Sequence, residues 1–428
     1  MTRVGARRPC GLSPAAIALL VPQTALALLS GYQLLLTAVA ARRHARGLDR
    51  TAVSDCVRHR FVIVVPAHDE ARLIGSTVAS LRGLDYPEDL FRIHVIADNC
   101  SDATAEIARG AGAEVHVRFA PDKRGKGPAL QWLLQRLWTR GDPHDAVVIV
   151  DADSTLSPNF LRVMDAKLAE GHRVVQGYYA VRDPGTSWNV GLRYAGFAVR
   201  HYLRPLARVA LGGSCGLYGN GMVFRSDVLR NRPWTAHLTE DMELQLELLL
   251  AGIFVAFAPD AVVEAEMPAS LAGARSQQQR WEQGRLDLVR RYVPALLRPP
   301  RVRRPHQRVA QLDAAVDQVI PPFSVVVAAT VATGIAGVTL TRVRPSFATR
   351  LAVALAAAIA AAQALYLFVG LRLVHAPRSV YRSLLKAPVL IVWKVVLWLQ
   401  VLVRPTPNTW VRTARNEPDR TEVTTCAR

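Results

Sequence analysis

Residues 146–153 read AVVIVDAD, so that five apolar residues are followed at once by two aspartates separated by one alanine. A short apolar run rich in β-branched residues is typical of a strand buried on both faces of a sheet. Asp151 and Asp153 come directly after this run, where two carboxylates cannot both face a core. Mg²⁺ and Mn²⁺ prefer hard oxygen ligands and bridge to phosphate oxygens. The stretch predicts a divalent-cation site at a strand end, although an acidic pair alone is also common in surface turns.

Predicted strands and helices alternate along the chain before this stretch. Strands are expected over residues 61–65, 92–97, 114–117 and 146–150, and helices over 71–81, 102–110 and 127–138. Alternation of this kind indicates an α/β fold in which parallel strands are joined by right-handed crossovers. Ligands bind at the carboxyl ends of strands in such sheets. Polar residues stand at those ends, namely Asp69, Asp98, Asp151 and Asp153.

Two common nucleotide-binding patterns are missing from the sequence. A nicotinamide-binding domain needs GxGxxG directly after its first strand, but residues 66–70 read PAHDE and contain no glycine. The chain also has no GxxxxGK[ST] loop. Both interpretations are therefore weak.

Three further segments carry residues suited to chemistry. Thr239 is a plausible N-cap for a helix in which Asp241 lies in the first turn, where the helix dipole favours an ionised carboxylate. Such a carboxylate can serve as a general base, or it can simply compensate the dipole. Lys126 lies in the basic loop KRGKG at 123–127, which suits a diphosphate at a helix N-terminus but also a solvated turn.

The third segment is QQQRW at residues 277–281. On a helix, Gln277, Arg280 and Trp281 share one face. Arginine can clamp a diphosphate through two parallel hydrogen bonds, and tryptophan offers a flat apolar face to a sugar ring. The alternative is an amphipathic interface helix whose tryptophan packs beneath a membrane.

Apolar segments flank this α/β region. Residues 15–41, 319–340 and 351–373 are each long enough to cross a bilayer. Arginines are more numerous after the first segment than before it, which places the α/β domain in the cytoplasm of a multi-pass plasma-membrane protein. Residues 387–403 contain Lys394 near their middle, and we favour an interfacial or re-entrant helix over a span, with a cytoplasmic tail after it. The predicted division is 1–45, tail and span; 46–312, globular domain; 313–374, two spans; 375–428, interfacial helix and tail.

The composition limits the classes of molecule that the protein is expected to bind. The net charge is +19, which suits nucleic acid, anionic lipid or phosphorylated substrates. The apolar segments favour the last two, and no nucleic-acid-binding signature is present, so the lipid bilayer is an expected partner and nucleic acid is not. The five cysteines form no CxxC pair and are expected to be mostly free thiols.

Taken together, the ordered strings at residues 64–70, 97–102, 123–127, 151–153, 239–241 and 277–281 resemble the membrane-bound family 2 glycosyltransferases, which include cellulose, chitin, hyaluronan and poly-N-acetylglucosamine synthases. The resemblance covers about residues 61–285 and implies a GT-A fold, a Rossmann-like mixed sheet with flanking transmembrane helices. Asn99 departs from the family, where many members have aspartate.

The resemblance also implies roles for individual residues. The nucleotide-sugar would be bound by Pro66, Ala67, Glu70, Asp98, Lys126, Asp151 and Arg280. Asp153 would coordinate Mg²⁺ or Mn²⁺, Asp241 would be the general base, and Gln277 and Trp281 would bind the acceptor with Arg280 nearby. The expected activity is inverting transfer of a sugar from a UDP-sugar to a polysaccharide, oligosaccharide or lipid-linked acceptor.

Two alternatives stay open from the sequence. Three predicted spans and one doubtful segment are few for a polymer channel, which leaves room for a non-processive glycolipid synthase. An inert membrane scaffold or polysaccharide-binding subunit is the alternative outside catalysis. An oligomer is compatible with the sequence, and the donor sugar is not determined by it.

Overall fold

A computed structural model describes residues 14–54, 56–230, 232, 234–235, 237–299 and 305–403. The first thirteen residues and the predicted cytoplasmic tail after residue 403 lie outside the described residues.

The centre of the molecule is an eight-stranded mixed sheet with the order β3-β2-β1-β4-β7-β6-β8-β5. Its strands are β1 (Phe61–Ala67), β2 (Phe91–Asp98), β3 (Glu114–Arg118), β4 (Ala146–Ile149), β5 (Ser154–Leu156), β6 (Val174–Val181), β7 (Met222–Arg225) and β8 (Val255–Ala265). The first four strands are parallel, as the alternating pattern predicts. β7 runs antiparallel between β4 and β6, and β5 is antiparallel to β8. The α/β class and the mixed GT-A type of sheet are confirmed.

The helices fall into a group around the sheet and a group of long apolar helices. The first group is α2 (Ile74–Arg82), α3 (Thr104–Gly110), α4 (Lys126–Arg140), α5 (Phe160–Ala169), α6 (Trp188–Phe197), α7 (Arg204–Ala210), α8 (Ser226–Arg230), α9 (Glu240–Leu250), α10 (Leu271–Leu297) and α11 (Pro305–Val319). The second is α1 (Pro14–Ala45), α12 (Phe323–Val343), α13 (Phe347–Leu373) and α15 (Ala387–Val403), with the short α14 (Arg378–Ser383) before the last. A π-helical segment, Ala198–Leu203, joins α6 to α7.

The sheet is covered on both faces, and this explains its continuous apolar strands. Phe61, Ile63 and Val65 of β1 face one core with α2 and α5, while Val62 and Val64 face the other. The second core contains four leucines of α4, namely Leu130, Leu133, Leu134 and Leu137, and all four are fully buried. Because both faces are buried, the strand ends are where polar side chains meet open space.

Four helical segments are long and apolar enough to cross a membrane by length and composition. They are Ile17–Ala45, Phe323–Val343, Phe347–Leu373 and Arg378–Val403. The second predicted span begins later than expected, because Pro321 and Pro322 separate it from α11. Buried amides join these helices: the Gln23 side chain donates to the Ala352 carbonyl at 2.9 Å, and that of Gln363 donates to Thr330 Oγ1 at 2.8 Å.

The last of these segments contains Lys394, and its partners belong to α10. Lys394 Nζ lies 2.9 Å from Glu282 Oε1 and also donates to the Gln278 side chain. The charge is therefore compensated inside the protein. An interfacial or re-entrant placement of residues 387–403 stays a prediction.

Buried ion pairs connect α7 to α11. Arg208 contacts Asp313 at 2.7 Å and Asp317 at 3.2 Å, and Arg204 also pairs with Asp317. Burial by itself would raise the pKa of Asp317, but the two arginines outweigh it and hold that pKa well below its usual range. Tyr32 of α1 donates to Asp313 at 2.7 Å. α11 is thus fixed to both the sheet domain and the first apolar helix.

Candidate functional site

One cavity of about 790 Å³ opens at the carboxyl ends of β1, β2 and β4 and continues to α12, α13 and α15. Every site residue that the sequence suggests lines it. These residues are Pro66, Ala67, Glu70, Asp98, Lys126, Asp151, Asp153, Asp241, Gln277, Arg280 and Trp281. Their roles stay predictions, but the fold brings them to one space from six separate stretches of sequence.

Asp98 ends β2 and is buried beside a residue that the sequence patterns do not single out. Its carboxylate pairs with Arg118, which lies opposite it on β3. Arg118 also donates to the Lys123 carbonyl at 2.8 Å, and Asn99 Nδ2 donates to Asp98 Oδ1 at 3.0 Å. Asn99 in turn accepts from the Ala120 amide at 2.8 Å. The asparagine that departs from the family pattern therefore ties two loops of the site together.

Lys126 is the first residue of α4, and it bridges two strand ends. Its Nζ donates to Asp151 Oδ1 and to the Gly219 carbonyl, each at 2.5 Å. Burial lowers the pKa of this ammonium, but Asp151 and then Glu240 outweigh that effect and the pKa is raised overall. Lys126 is thus a fixed positive charge next to the first aspartate of the 151–153 pair. Residues 124–127 of the basic loop line the cavity, whereas the side chains of Lys123 and Arg124 are also exposed to solvent.

Asp153 is the more enclosed of the two aspartates. It is 8% exposed, and its Oδ1 accepts from Ser154 Oγ at 3.2 Å. Asn220 orients this turn, since its Oδ1 accepts from the Asp151 amide at 3.1 Å and its Nδ2 donates to Ser154 Oγ at 2.8 Å. A carboxylate at a cavity wall fits the hard oxygen ligand that Mg²⁺ or Mn²⁺ takes alongside substrate phosphates.

Two other groups of side chains in the described part of the chain lie close enough to share an ion. They are His94, Glu114 and His116 on β2 and β3, and Asp69, Cys100 and Asp102 in the loops after β1 and β2. Neither group includes Asp151 or Asp153.

Two adjacent carboxylates begin α9. Burial, followed by the charge of Asp241, raises the pKa of Glu240 to about 7. Burial also raises the pKa of Asp241, while Lys126 is among the groups that oppose this shift. Thr239 stands at the cap position but makes no capping bond, and its Oγ1 contacts His237 Nδ1 at 3.1 Å. The predicted N-cap position of Thr239 is confirmed, although its side chain makes no capping hydrogen bond, and the two carboxylates line the cavity.

Gly219 allows the backbone to lie close to both Lys126 and Asp241. Its φ is +79°, and a Cβ added there would lie 3.2 Å from Asp241 Oδ2. Only glycine combines that backbone conformation with so close an approach. Its carbonyl holds Lys126, so one residue positions both a cation and a carboxylate.

Helix α10 forms another wall of the cavity. Burial lowers the pKa of Arg280, whereas Glu240, Asp151 and Asp241 act in the opposite direction. Arg280 is thus close to all three carboxylates. α10 approaches α9 tightly at Gly284, where an added Cβ would lie 2.6 Å from Thr239 Oγ1.

Three neighbours of Arg280 on α10, namely Gln277, Gln278 and Trp281, line the cavity, and Gln278 also contacts an apolar helix. Trp281 lines the cavity and packs against the core of the sheet domain. Gln277 Oε1 is buried and lacks a hydrogen-bond partner within the described residues. Gln278, in contrast, is bound to Lys394. The face carrying Gln277, Arg280 and Trp281 therefore belongs to the cavity.

Glu240, Arg118, Asn220 and Gly219 were not among the predicted site residues. Glu240 adjoins Asp241 in sequence, and a carboxylate pair at a helix start is a usable signal. The string YGNG at 218–221, just before β7, is a second signal, because glycines near a strand end mark close backbone approach. Arg118 gives no local signal.

Comparison with known proteins agrees with this architecture. A family model described as "Glycosyltransferase like family 2" matches residues 59–284. A glucomannan 4-beta-mannosyltransferase of Arabidopsis thaliana is 23% identical over 257 residues, 56% of this chain and 45% of the relative. An N-acetylglucosaminyltransferase of Rhizobium meliloti is 26% identical over 287 residues, 61% and 66% of the two chains. A beta-monoglucosyldiacylglycerol synthase of Synechocystis is 28% identical over 230 residues, 52% and 47% of the two chains.

The chain thus spans between 45% and 66% of the length of these relatives. Among solved structures, a mannosyltransferase from Pyrobaculum calidifontis in complex with GDP-Man and Mn²⁺ superposes with a TM-score of 0.52 at 20% identity. That match covers 83% of this chain and 96% of the other. At this identity the likeness concerns the fold.

Proposed function

This chain belongs to the glycosyltransferase like family 2, whose model matches more than half of it, and from that premise we propose that it is an inverting, metal-dependent hexosyltransferase using a UDP-sugar. The acceptor is a polysaccharide, an oligosaccharide or a lipid-linked glycan at the cytoplasmic face of the plasma membrane. The observation that carries the proposal is the group of charges in the cavity, namely Lys126, Asp151, Glu240, Asp241 and Arg280.

This group suits a reaction in which a diphosphate leaves. The acceptor hydroxyl attacks the anomeric carbon, its proton passes to the Asp241 carboxylate, and the bond from that carbon to the diphosphate oxygen breaks with its electron pair staying on UDP. Arg280 and Lys126 stabilise the negative charge that develops on the diphosphate. Mg²⁺ or Mn²⁺ held by Asp153 would supply further charge neutralisation when bound.

We assign binding of the nucleotide-sugar donor to residues at the carboxyl ends of the strands. Pro66, Ala67 and Glu70 follow β1 and Asp98 ends β2, so these residues would enclose the nucleotide. Asp151 would face the sugar, because Lys126 already compensates its charge. Gln277 and Trp281 would hold the acceptor, which leaves the buried Gln277 oxygen available to a sugar hydroxyl.

A non-processive glycolipid synthase is favoured as the second candidate by one observation. The cavity runs without interruption from the carboxylates to the apolar helices α12, α13 and α15, which suits an acceptor that enters from the membrane. Product length measured by mass spectrometry separates one transferred sugar from a polymer.

The test uses the full-length protein purified in a neutral detergent, with labelled UDP-sugars, GDP-mannose as a second donor class, and Mn²⁺ or Mg²⁺. Asp241→Asn is expected to lower transfer by roughly 10²- to 10⁴-fold, the usual contribution of a general base. Asp153→Asn and chelation of the metal should each lower it as well. Glu106→Gln is the matched control, since Glu106 is an exposed carboxylate in the first turn of α3 and outside the cavity.

Undiminished transfer by both Asp241→Asn and Asp153→Asn would refute the assignment of these residues. Failure of the wild-type protein to bind UDP, measured by calorimetry, would instead favour an inert membrane scaffold.

A further inference from the structure

Several cationic side chains that the proposed transfer does not use line the cavity, and four of them are considered together. We call them the basic cluster: Arg193 of α6, Arg200 of the π-helical segment, Arg285 of α10 and Lys394 of α15. All four line the cavity. The charges of Arg193 and Arg200 both act on Lys394, and that of Arg200 acts on Arg285, so the charges of this group influence one another across the cavity.

Arg193 is the unusual member. It is 7% exposed, and its Nε is buried without a hydrogen-bond partner in the described part of the chain. No ion pair joins it to any described carboxylate, and burial lowers its pKa to about 10. A buried, uncompensated cation is expensive to maintain. An anion that enters the cavity would relieve that cost.

The other members of the basic cluster are not all neutralised by carboxylates. Lys394 pairs with Glu282. Arg285 donates to the backbone carbonyls of Gln318 and Ile320, which supply no full negative charge. Asp317 also acts on Arg285, but it is engaged by Arg204 and Arg208. Cations therefore outnumber the carboxylates available to them at this end of the cavity.

The surroundings of the basic cluster are apolar. Cavity-lining residues from the candidate membrane helices include Phe323, Val327, Leu367, Leu390 and Ile391. A ligand with a charged phosphate and an apolar chain fits this part of the cavity. The guanidinium groups would pair with the phosphate oxygens, and the apolar residues would remove the chain from water. A neutral glycan would leave the Arg193 charge uncompensated.

We propose that this end of the cavity binds the phosphate of a lipid-linked acceptor whose free hydroxyl reaches Asp241, with Arg193 as the principal anchor of the phosphate, Arg200 as its second ligand, and the acyl or prenyl chain lying against α12, α13 and α15. The inference rests on the proposed function, since it names the acceptor class for the same catalytic site. Free phosphate shares the head-group chemistry, and the apolar walls distinguish the lipid from it.

The test measures binding of radiolabelled dodecyl phosphate to the full-length protein in phosphatidylcholine nanodiscs, with dodecanol as the uncharged probe. The wild-type protein is expected to bind the phosphate and not the alcohol, and millimolar inorganic phosphate should fail to displace it. Arg193→Gln should weaken binding about tenfold or more, the loss expected for a charge-assisted hydrogen bond. Arg193→Lys should recover part of the affinity.

Arg290→Gln is the control, because Arg290 is an exposed arginine of the same helix as Arg285 and does not line the cavity. Equal binding by wild type and Arg193→Gln would overturn the proposal, as would equal binding of dodecanol or full displacement by inorganic phosphate. If Arg193→Gln loses its thermal unfolding transition, Arg200→Gln provides the same comparison.

The wild-type protein also separates this inference from the proposed function. Donor turnover without dodecyl phosphate binding overturns the lipid-phosphate acceptor alone. Dodecyl phosphate binding without turnover of any nucleotide-sugar overturns the transferase proposal and leaves the anion site in place.

Discussion

Replacing Arg118 by methionine removes the partner of the buried Asp98 carboxylate while it keeps much of the side chain's length. The two side chains are 6% and 9% exposed, so Asp98 would be left buried without its cationic partner and with little access to water. Breaking such a buried pair from one side costs about 3–5 kcal/mol. In a domain of this size each kcal/mol moves the unfolding midpoint by roughly 2–4 °C. We therefore expect Arg118→Met to lower the midpoint by roughly 6–20 °C.

The assay is intrinsic-fluorescence thermal unfolding of four proteins: wild type, Arg118→Met, Asp98→Asn and the double variant. The double variant should be more stable than Arg118→Met, because asparagine carries no charge to be left unpaired. UDP affinity, measured in parallel, should fall in Arg118→Met because Asp98 loses the group that orients it.

Arg109→Met is the control, since Arg109 is an exposed arginine on α3. A midpoint for Arg118→Met equal to that of Arg109→Met would show that the pair does not stabilise the fold. Strict additivity of the two single changes would refute the coupling between Asp98 and Arg118.

Three other predictions concern the catalytic end and the topology. The pKa of Glu240 is raised from 4.5 to about 7, so the folded protein binds this proton more tightly than the unfolded chain does. The resulting stabilisation is complete below pH 4.5 and is lost as the pH rises through 7. The unfolding midpoint of Glu240→Gln should therefore change less with pH over that range, and a pH profile parallel to that of the wild type would contradict this. Gly219→Ala and Gly141→Ala both place a side chain at positive φ, +79° and +75°, and each should cost about 1–2 kcal/mol of stability. Only Gly219→Ala has Asp241 within 4 Å of the new Cβ and should lower kcat, so equal kcat values would count against the role of that contact. The exposed Cys56, in a variant whose four other cysteines are serine, should react with a membrane-impermeant maleimide only after cells are opened; labelling of intact cells would reverse the predicted topology.

The sequence predicts the first half of the sheet, because each strand and helix there has a recognisable hydrophobic pattern of its own. β1, β2 and β4 are largely apolar runs, β3 alternates polar residues with valines, and the partners of these strands follow from alternation with helices. β7 is different, because its insertion between β4 and β6 in antiparallel orientation depends on contacts between segments more than 70 residues apart. No local periodicity encodes that choice.

The residues of the site can likewise be divided into those that the sequence predicts and those that it does not. Asp98, Asp151 and Asp153 could be predicted because they stand immediately after strands that end at one edge. The pairing of Lys126 with Asp151, and of Arg118 with Asp98, could not, since each depends on register between neighbouring strands or on the entry of a helix. Glu240 could be suspected from its place beside Asp241, but its raised pKa could not, because that shift arises from burial in the folded protein.

The cavity also bears on how such a protein can diversify. The family match ends at residue 284, yet walls of the same cavity come from α12, α13 and α15, which lie after it. Under the proposed function, the apolar helices would help to select the acceptor. Substitutions in them would then alter acceptor preference without changing the residues proposed to bind the donor. A chimera that exchanges these helices between relatives would, for the same reason, exchange recipient preference, whereas an excised soluble fragment would lose it.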